Sequence, residues 1–525
     1  MRDFQTPGRS AVRTTQGMAA TSHPLSTLAA LDVLREGGTA MDAAICAAAV
    51  QAVVEPQSTG IGGDCFVLHC PGGGERVLGL NGSGRAPGGA SIEAMRGLGL
   101  TEMPGFGPHS VTTPGAIDAW FRLSADHGRL PMARLLEPAI AYAEDGYVIH
   151  DRVAFDWQIA APLLAQDPAS AAIFLPGGHA PRIGDLHRQP ALARTLRSIA
   201  QHGRAVFYEG ALAQAMVAHL RSLGGLQDAA DWAATRSDAV TPISTLYRGY
   251  RVHQVPPNNQ GLTALVMLDI LSGFDLASLD PDGPERMHLE IEAARLAYAD
   301  RDRHLGEDGG ISDRLLAPDH APRLRAAIRP DQRIETLPQT ALALSDTVYI
   351  SVVDRDRNAV SFINSTYHSF GAGITCPETG IIFQNRGASF RLDPAHPNAL
   401  APGKRPLHTI MPGMLTKDGQ AIMPYGVMGG DYQPAGHAHL LVNLLDYGMD
   451  LQQAIDHPRA FHDGRAVQVE RGVPARTIAG LQQRGHEVTC AAEPHGGAQA
   501  VWIDPARGTL TGASDPRKDG IALGY

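Results

Sequence analysis

Near residue 345 this chain changes character, and the change restricts the folds open to it. From about residue 115 to 328 helical patterns dominate, as in 136–144, 211–223 and 286–303. In the last of these Met287, Ile291, Ala294 and Tyr298 fall on one stripe, the spacing of a core-facing helix. Residues 347–354 (TVYISVVD) are then rich in β-formers, a polar turn follows at 355–358, and a second such run spans 359–364. Two runs joined this way predict a β-hairpin. Further strands are expected at 380–384, 421–427, 467–470 and 500–504, with a helix at 435–447. The reading is therefore α/β, with a helix-rich first two-thirds and a strand-rich last third.

Strands also occur early, so the two parts are free to share a sheet. Residues 24–36 carry Leu25, Leu28, Leu31 and Leu34 near the helical period, and Gly37-Gly38 stops them. Thr39 with Asp42 has the spacing of a capping box for a second helix at 40–54. Residues 65–70 and 75–80 flank a Pro-Gly-Gly-Gly turn and read as a hairpin. The preceding stretch 57–64 (QSTGIGGD) lacks the Gly-Lys-Ser/Thr ending of a phosphate loop and does not fit G-x-G-x-x-G. Its glycines are better suited to letting backbone approach backbone or ligand.

Composition narrows the function. A net charge of -10 disfavours nucleic acid, which selects a basic face. The apolar run 43–54 is too short to span a bilayer and contains Gln51, so no membrane partner is expected. Five scattered cysteines form no C-x-x-C pair and fit buried thiols in a reducing compartment. The first residues show no apolar signal region, which adds to the expectation of a cytoplasmic protein. His437-Ala438-His439 is the closest histidine pair, but no H-E-x-x-H or Cys/His framework accompanies it, so neither metal nor cofactor is expected. No G-x-S-x-G elbow is present. A Thr at the start of a strand, at 347, is a weak signal alone.

Ordered segments add to it. They are Gly17 through Pro24 (GMAATSHP), LREGGTAMDAAI at 34–45, VVEPQSTGIGGD at 53–64, Pro114-Gly115, LLEPAI at 135–140, VPPNNQG at 255–261 and AYADRDRHLG at 297–306. DTVYISVVDRDRNAVSFIN at 346–364, ETGIIFQN at 378–385, Gly429-Gly430 and GASDPRKDGIALGY at 512–525 complete the set. Together they resemble the γ-glutamyltransferase family over almost the whole chain. The resemblance implies a four-layer αββα N-terminal-nucleophile hydrolase fold. It also implies a zymogen that cuts itself between Asp346 and Thr347 into a large subunit, 1–346, and a small catalytic subunit, 347–525, which stay associated. Thr347 becomes the nucleophile, and its freed α-amine, with an ordinary pKa of about 7.7–8.0, becomes the base. Family comparison assigns Gly429 and Gly430 to the oxyanion hole, and Ser365 to supporting the nucleophile where Thr is more usual.

The pocket departs from the family pattern. Ser83 stands where a carboxylate-binding Arg is expected, and Arg85 lies two places later. His408-Thr409 replaces a Ser-Ser pair, Ser389 replaces an ammonium-binding Asp, and Tyr367 replaces an Asn. Without those zwitterion contacts, each contributing about 1.5–3 kcal/mol, tight γ-glutamyl binding is not assured. Arg85 and Arg386 are candidate new cationic contacts, alternatively structural ion pairs. The family's default is glutathione hydrolysis and γ-glutamyl transfer, from a small-molecule amide to water or an amine. The sharper reading is a non-glutamyl amidase acting on an anionic acyl group without an ammonium, such as an oxamate amidohydrolase or a glutaryl or cephalosporin acylase. From another class, the alternative is an unprocessed binding protein.

Overall fold

The computed structural model describes residues 8–74, 76–307, 310–337, 342 and 347–525. Asp346, on the near side of the expected cut, lies outside the described residues. Two seven-stranded antiparallel sheets face one another. The first orders Ile521–Gly524, Met18–Thr21, Val348–Val353, Ala359–Ser365, Asp64–Cys70, Leu78–Gly82 and Asp238–Val240. The second orders Val12–Thr14, Thr509–Ser514, Gly497–Asp504, Gln420–Met428, Gly413–Lys417, Tyr250–Gln254 and Ile243–Tyr247.

Between the sheets lies a buried apolar layer that includes Phe66, Tyr349 and Ile363 from one side and Met414, Met428 and Val501 from the other. Helices Pro24–Arg35 and Ala40–Val54 cover the outer face of the first sheet; Gly261–Leu271 and Gln433–Leu445 cover the second. This is the expected helix–sheet–sheet–helix sandwich. Both faces of each sheet are covered, which explains why the central strand Val348–Val353 is buried at every position. Helix Ala40–Val54 is likewise buried at every residue, as an Ala-rich helix apolar on all sides must be.

Local signals translate closely. Thr39 and Asp42 form the capping box at the start of Ala40–Val54. Helix Pro24–Arg35 ends before Gly37, whose φ of 90° suits glycine. The early hairpin runs Asp64–Cys70 against Leu78–Gly82, and the later one pairs Val348–Val353 with Ala359–Ser365. The helices expected at 136–144, 211–223 and 286–303 lie within Met132–Asp145, Ala211–Ser222 and Pro284–His304. One strand is shorter than expected: of 380–384 only Ile381–Ile382 joins a ladder. Gly380 turns at φ 70°, and the Gln384 N–H donates to Gly62 O at 3.1 Å, pulling both ends out of the sheet.

The chain crosses between its halves repeatedly. Strand Val348–Val353 pairs with Met18–Thr21 on one side and Ala359–Ser365 on the other, and Ala359–Ser365 pairs with Asp64–Cys70. Residues before and after position 346 thus share one hydrogen-bonded sheet.

Candidate active site

Thr347 is wholly buried at the start of the central strand. Val348 pairs with Asn364 across the hairpin, which brings Ser365 beside it. The Thr347 Oγ1 and Ser365 Oγ atoms lie 3.1 Å apart, in hydrogen-bond contact. Ser365 Oγ also accepts the Tyr367 N–H at 2.9 Å. That bond helps hold Tyr367 at φ 81°, a left-handed conformation costing a non-glycine residue about 1–3 kcal/mol.

Two contacts cross the sandwich from the central strand. Ser351 Oγ donates to Pro424 O at 2.8 Å, and the Tyr349 ring fills the space where Gly426 would carry a Cβ, 2.4 Å from that point. Strand Gln420–Met428, packed across the sandwich from the strand that follows Thr347, ends at Gly429-Gly430. These glycines turn the chain from strand Gln420–Met428 toward helix Gln433–Leu445, with φ values of 120° and 59°. A Cβ on Gly429 would lie 2.7 Å from Gly496 Cα, so the turn requires glycine there.

A buried polar clamp holds this turn. Gln260 Nε2 donates to Gly430 O at 2.9 Å and to Thr409 O at 2.7 Å. Arg301 donates to Gln260 Oε1 at 2.8 Å and pairs with Asp431 at 2.5 Å, and the Tyr298 hydroxyl donates to Asp431 O. Sequence reasoning assigned Gln260, Arg301 and Asp431 no role, although two of them lie in the motif segments VPPNNQG and AYADRDRHLG.

The glycine-rich stretch serves backbone approach. A Cβ on Gly62 would lie 2.1 Å from Ile382 O, and one on Gly63 2.3 Å from Ser365 O. The loop therefore seats directly against Ser365, the residue that touches Thr347.

Beside Tyr367 opens a cleft whose lining includes Gly105, His368, Ser389, Thr409 and Asp431. Of the pocket residues singled out from sequence, Tyr367, Ser389 and Thr409 line it. The Ser389 hydroxyl is directed to backbone, at 3.0 Å from Arg386 O and 2.8 Å from Leu407 O. Arg386 lies behind the wall, fully buried, with its guanidinium carbon 3.8 Å from the Tyr367 ring centroid. It donates to Thr409 Oγ1 at 2.9 Å, while Nε and the second terminal nitrogen have no hydrogen-bond partner among the described residues. Burial pushes its pKa down to about 10.

Ser83, Arg85 and His408 are placed differently. Arg85 is engaged by Glu307 at 2.7 Å and Asp238 at 3.7 Å, the ion pair that was one of its two readings. Ser83 is buried in its loop, where it accepts from Asn258 at 3.2 Å. His408 contacts Asp64 at 2.8 Å, and both are fully buried. Burial, then the nearby Arg386 charge, pushes the His408 pKa down to about 3. The other Asp64 oxygen accepts from Gly84 N, Gly115 N and Gln384 at 2.8–3.0 Å. His408 thus helps tie together the loops behind the cleft.

Among the described residues one group has metal-ligand composition: His288, Glu292 and His486. Its proximity is accounted for without an ion. His288 and His486 share a 2.8 Å hydrogen bond, and Arg295 holds Glu292 at 2.6 Å.

Comparison with known proteins agrees with this geometry. The profile of the family described as gamma-glutamyltranspeptidase matches residues 26–525. The glutathione hydrolase-like YwrD proenzyme of Bacillus subtilis (strain 168) is 38% identical, with 97% of this chain and 98% of that protein covered. The oxamate amidohydrolase proenzyme of Klebsiella pneumoniae is 37% identical, covering 97% and 99%. The crystal structure of cephalosporin acylase from Bacillus halodurans superposes with a TM-score of 0.93 at 41% identity, covering 100% of this chain and 99% of that one. A four-layer sandwich and full-length similarity converge: the chain belongs to the γ-glutamyltranspeptidase family and is a self-processing amidohydrolase of the N-terminal-nucleophile class.

Proposed function

We propose that the chain cuts itself between Asp346 and Thr347, and that the resulting 1–346 and 347–525 subunits hydrolyse or transfer a small acyl group through Thr347. The Thr347 hydroxyl attacks the carbonyl of residue 346, and the acyl group moves from nitrogen to oxygen. Water hydrolyses that ester and frees the Thr347 α-amine. In catalysis this amine accepts the hydroxyl proton as Oγ1 attacks the substrate amide. The Gly429 and Gly430 N–H groups receive the oxyanion, a role for which a fixed glycine turn is well suited. The amine leaves with a proton, and water or an acceptor amine releases the acyl group. The observation that carries this reading is the 3.1 Å contact of Thr347 Oγ1 with Ser365 Oγ at the start of the central strand. The interleaved strands on either side of position 346 support subunits that remain associated after the cut.

For the acyl group, we favour a small acid with a second carboxylate and no α-ammonium. Arg386 supplies an unpaired cation next to the cleft, and Ser389 offers no carboxylate to an ammonium. Oxamate, named in the Klebsiella relative, and glutaryl groups meet that description; γ-glutamyl groups remain the competing reading. Five free cysteines support a cytoplasmic location.

Intact mass of the purified protein beside a Thr347→Ala control tests the first part. Two fragments meeting at 346/347, with an uncut control, are expected. An uncut 55.6 kDa chain under all conditions would favour a binding protein. Comparable turnover of glutaryl and γ-glutamyl anilides would refute the acyl preference.

A further inference from the structure

Arg391 stands on the wall between two hollows. It lines the cleft beside Tyr367 and, with Ala388, an adjoining hollow of about 450 Å³. Side chains alternate along extended backbone. Phe390 and Leu392 are buried in an apolar cluster with Met95, Met103 and Leu400, and Arg391 between them is exposed. Its backbone is fixed: the Arg391 N–H donates to Asn398 O at 3.0 Å, and the Leu400 N–H donates to Arg391 O at 2.9 Å. Burial, then the Asp431 charge, raises the Tyr367 pKa, and the Arg391 charge is among the cations that offset this, so it acts on the cleft side. The other charged and amide groups of the lining are committed to one another. Asp302 and Asp431 pair with Arg301 at 2.8 and 2.5 Å. His396 donates to Asp302 O at 2.7 Å and accepts the Asn398 N–H at 2.9 Å. The Asn398 amide donates to Ser389 O at 2.7 Å and accepts the Leu407 N–H at 2.8 Å. Arg391 has no ion pair and no side-chain hydrogen bond among the described residues, although Glu102 and Asp393 line the adjoining hollow.

We infer that Arg391 is a specificity-determining residue that receives a carboxylate carried by the leaving amine of the substrate. The inference rests on the proposed assignment of this cleft to the substrate. It deepens that assignment by naming the class of leaving group, an amino-substituted carboxylic acid. The cleft measures about 700 Å³. Sites of about 300–1,000 Å³ hold drug-sized molecules, so a small acyl group fills only part of this one. Thr347 is wholly buried, so the acyl carbon of the amide sits deep, and the amine departs outward past the exposed rim where Arg391 stands. A guanidinium matches a carboxylate with two parallel N–H···O bonds. Arg386, behind the wall, acts through its charge alone, whereas Arg391 is open to contact.

Two variants and two probes test this. The probes carry whichever acyl group the processed parent cleaves, glutaryl or γ-glutamyl, on aniline or on 3-aminobenzoate, so only the carboxylate of the leaving amine differs. Arg391→Ala removes the cation; Arg391→Lys keeps the charge without the fork. Each is purified in processed form, with intact mass as the check that self-cleavage is retained. The readout is kcat/KM for the aminobenzoate amide divided by that for the anilide, a ratio in which damage common to both cancels. The parent is expected to favour the aminobenzoate amide. Arg391→Ala should lower the ratio about three- to tenfold, between the effect of an exposed ion pair and that of a charge-assisted hydrogen bond. Arg391→Lys should retain part of it. Raising salt from about 0.05 to 0.5 M should shrink the parent's ratio as well. A ratio that Arg391→Ala leaves unchanged would overturn the inference and leave the substrate reading intact. An equal loss on both probes would assign Arg391 to the acyl group or to the scaffold and overturn it too. A parent that cuts itself yet cleaves neither acyl group would overturn the reading of the cleft and this inference together.

Discussion

Arg386 offers a prediction whose sign is unusual for a buried arginine. Truncating one partner of a buried ion pair ordinarily destabilises a protein by about 3–5 kcal/mol. Arg386, however, forms no ion pair among the described residues and leaves two guanidinium nitrogens without partners. Its pKa falls from 12.5 to about 10, with burial as the main cause. A base depressed in the folded state is a burden wherever both states are charged, here below about pH 10. The burden eases only as pH rises from there toward the unfolded value. At 1.36 kcal/mol per pKa unit it amounts to about 3 kcal/mol at neutral pH. Arg386→Met removes it, together with a cation–π contact worth about 0.5–2 kcal/mol and the bond to Thr409. The balance is a stability change of about 0 to +2 kcal/mol. For 525 residues unfolding as one unit, about 1 kcal/mol corresponds to one degree, so the thermal midpoint should hold or rise slightly. Activity should move the other way, with KM for glutaryl anilide rising as the positive charge behind the cleft wall is lost. Differential scanning calorimetry and steady-state kinetics on one preparation read both. A midpoint lowered by three degrees or more, with glutaryl kinetics unchanged, would refute the reasoning and make Arg386 structural.

Two further outcomes follow from the same physics. Burial pushes His23, His408 and His437 down to about 3, against an unfolded value of 6.5, so the unfolded chain binds protons first as pH falls. Stability should therefore be retained above about pH 6.5 and drop by up to about 1.4 kcal/mol per pH unit per histidine below it. A urea midpoint that stays flat from pH 7 to 5 would contradict this. Gly62→Ala places a methyl 2.1 Å from Ile382 O and displaces the backbone that carries Gln384. It should lower stability by about 1–3 kcal/mol and slow self-cleavage, and a variant cut as fast as the parent would show that the loop yields freely.

What the sequence determined by itself is the set of local elements. The Thr39/Asp42 spacing set a helix start, and the TVYISVVD run with its polar turn set the hairpin that follows Thr347. These are legible because their hydrogen bonds and side-chain periods involve neighbours in sequence or across a tight turn. The motif segments also singled out Thr347 and Ser365, which the fold brings into hydrogen-bond contact. Only the tertiary structure decided which polar residues serve the cleft. Arg85 and Arg386 looked alike in sequence. Glu307, 222 residues away, engages the first, while the second is buried against Tyr367 without a carboxylate. The clamp of Gln260, Arg301 and Asp431 was likewise invisible. The charge and hydrogen-bonding state of a side chain depend on what packs around it, and here those neighbours come from distant parts of the chain.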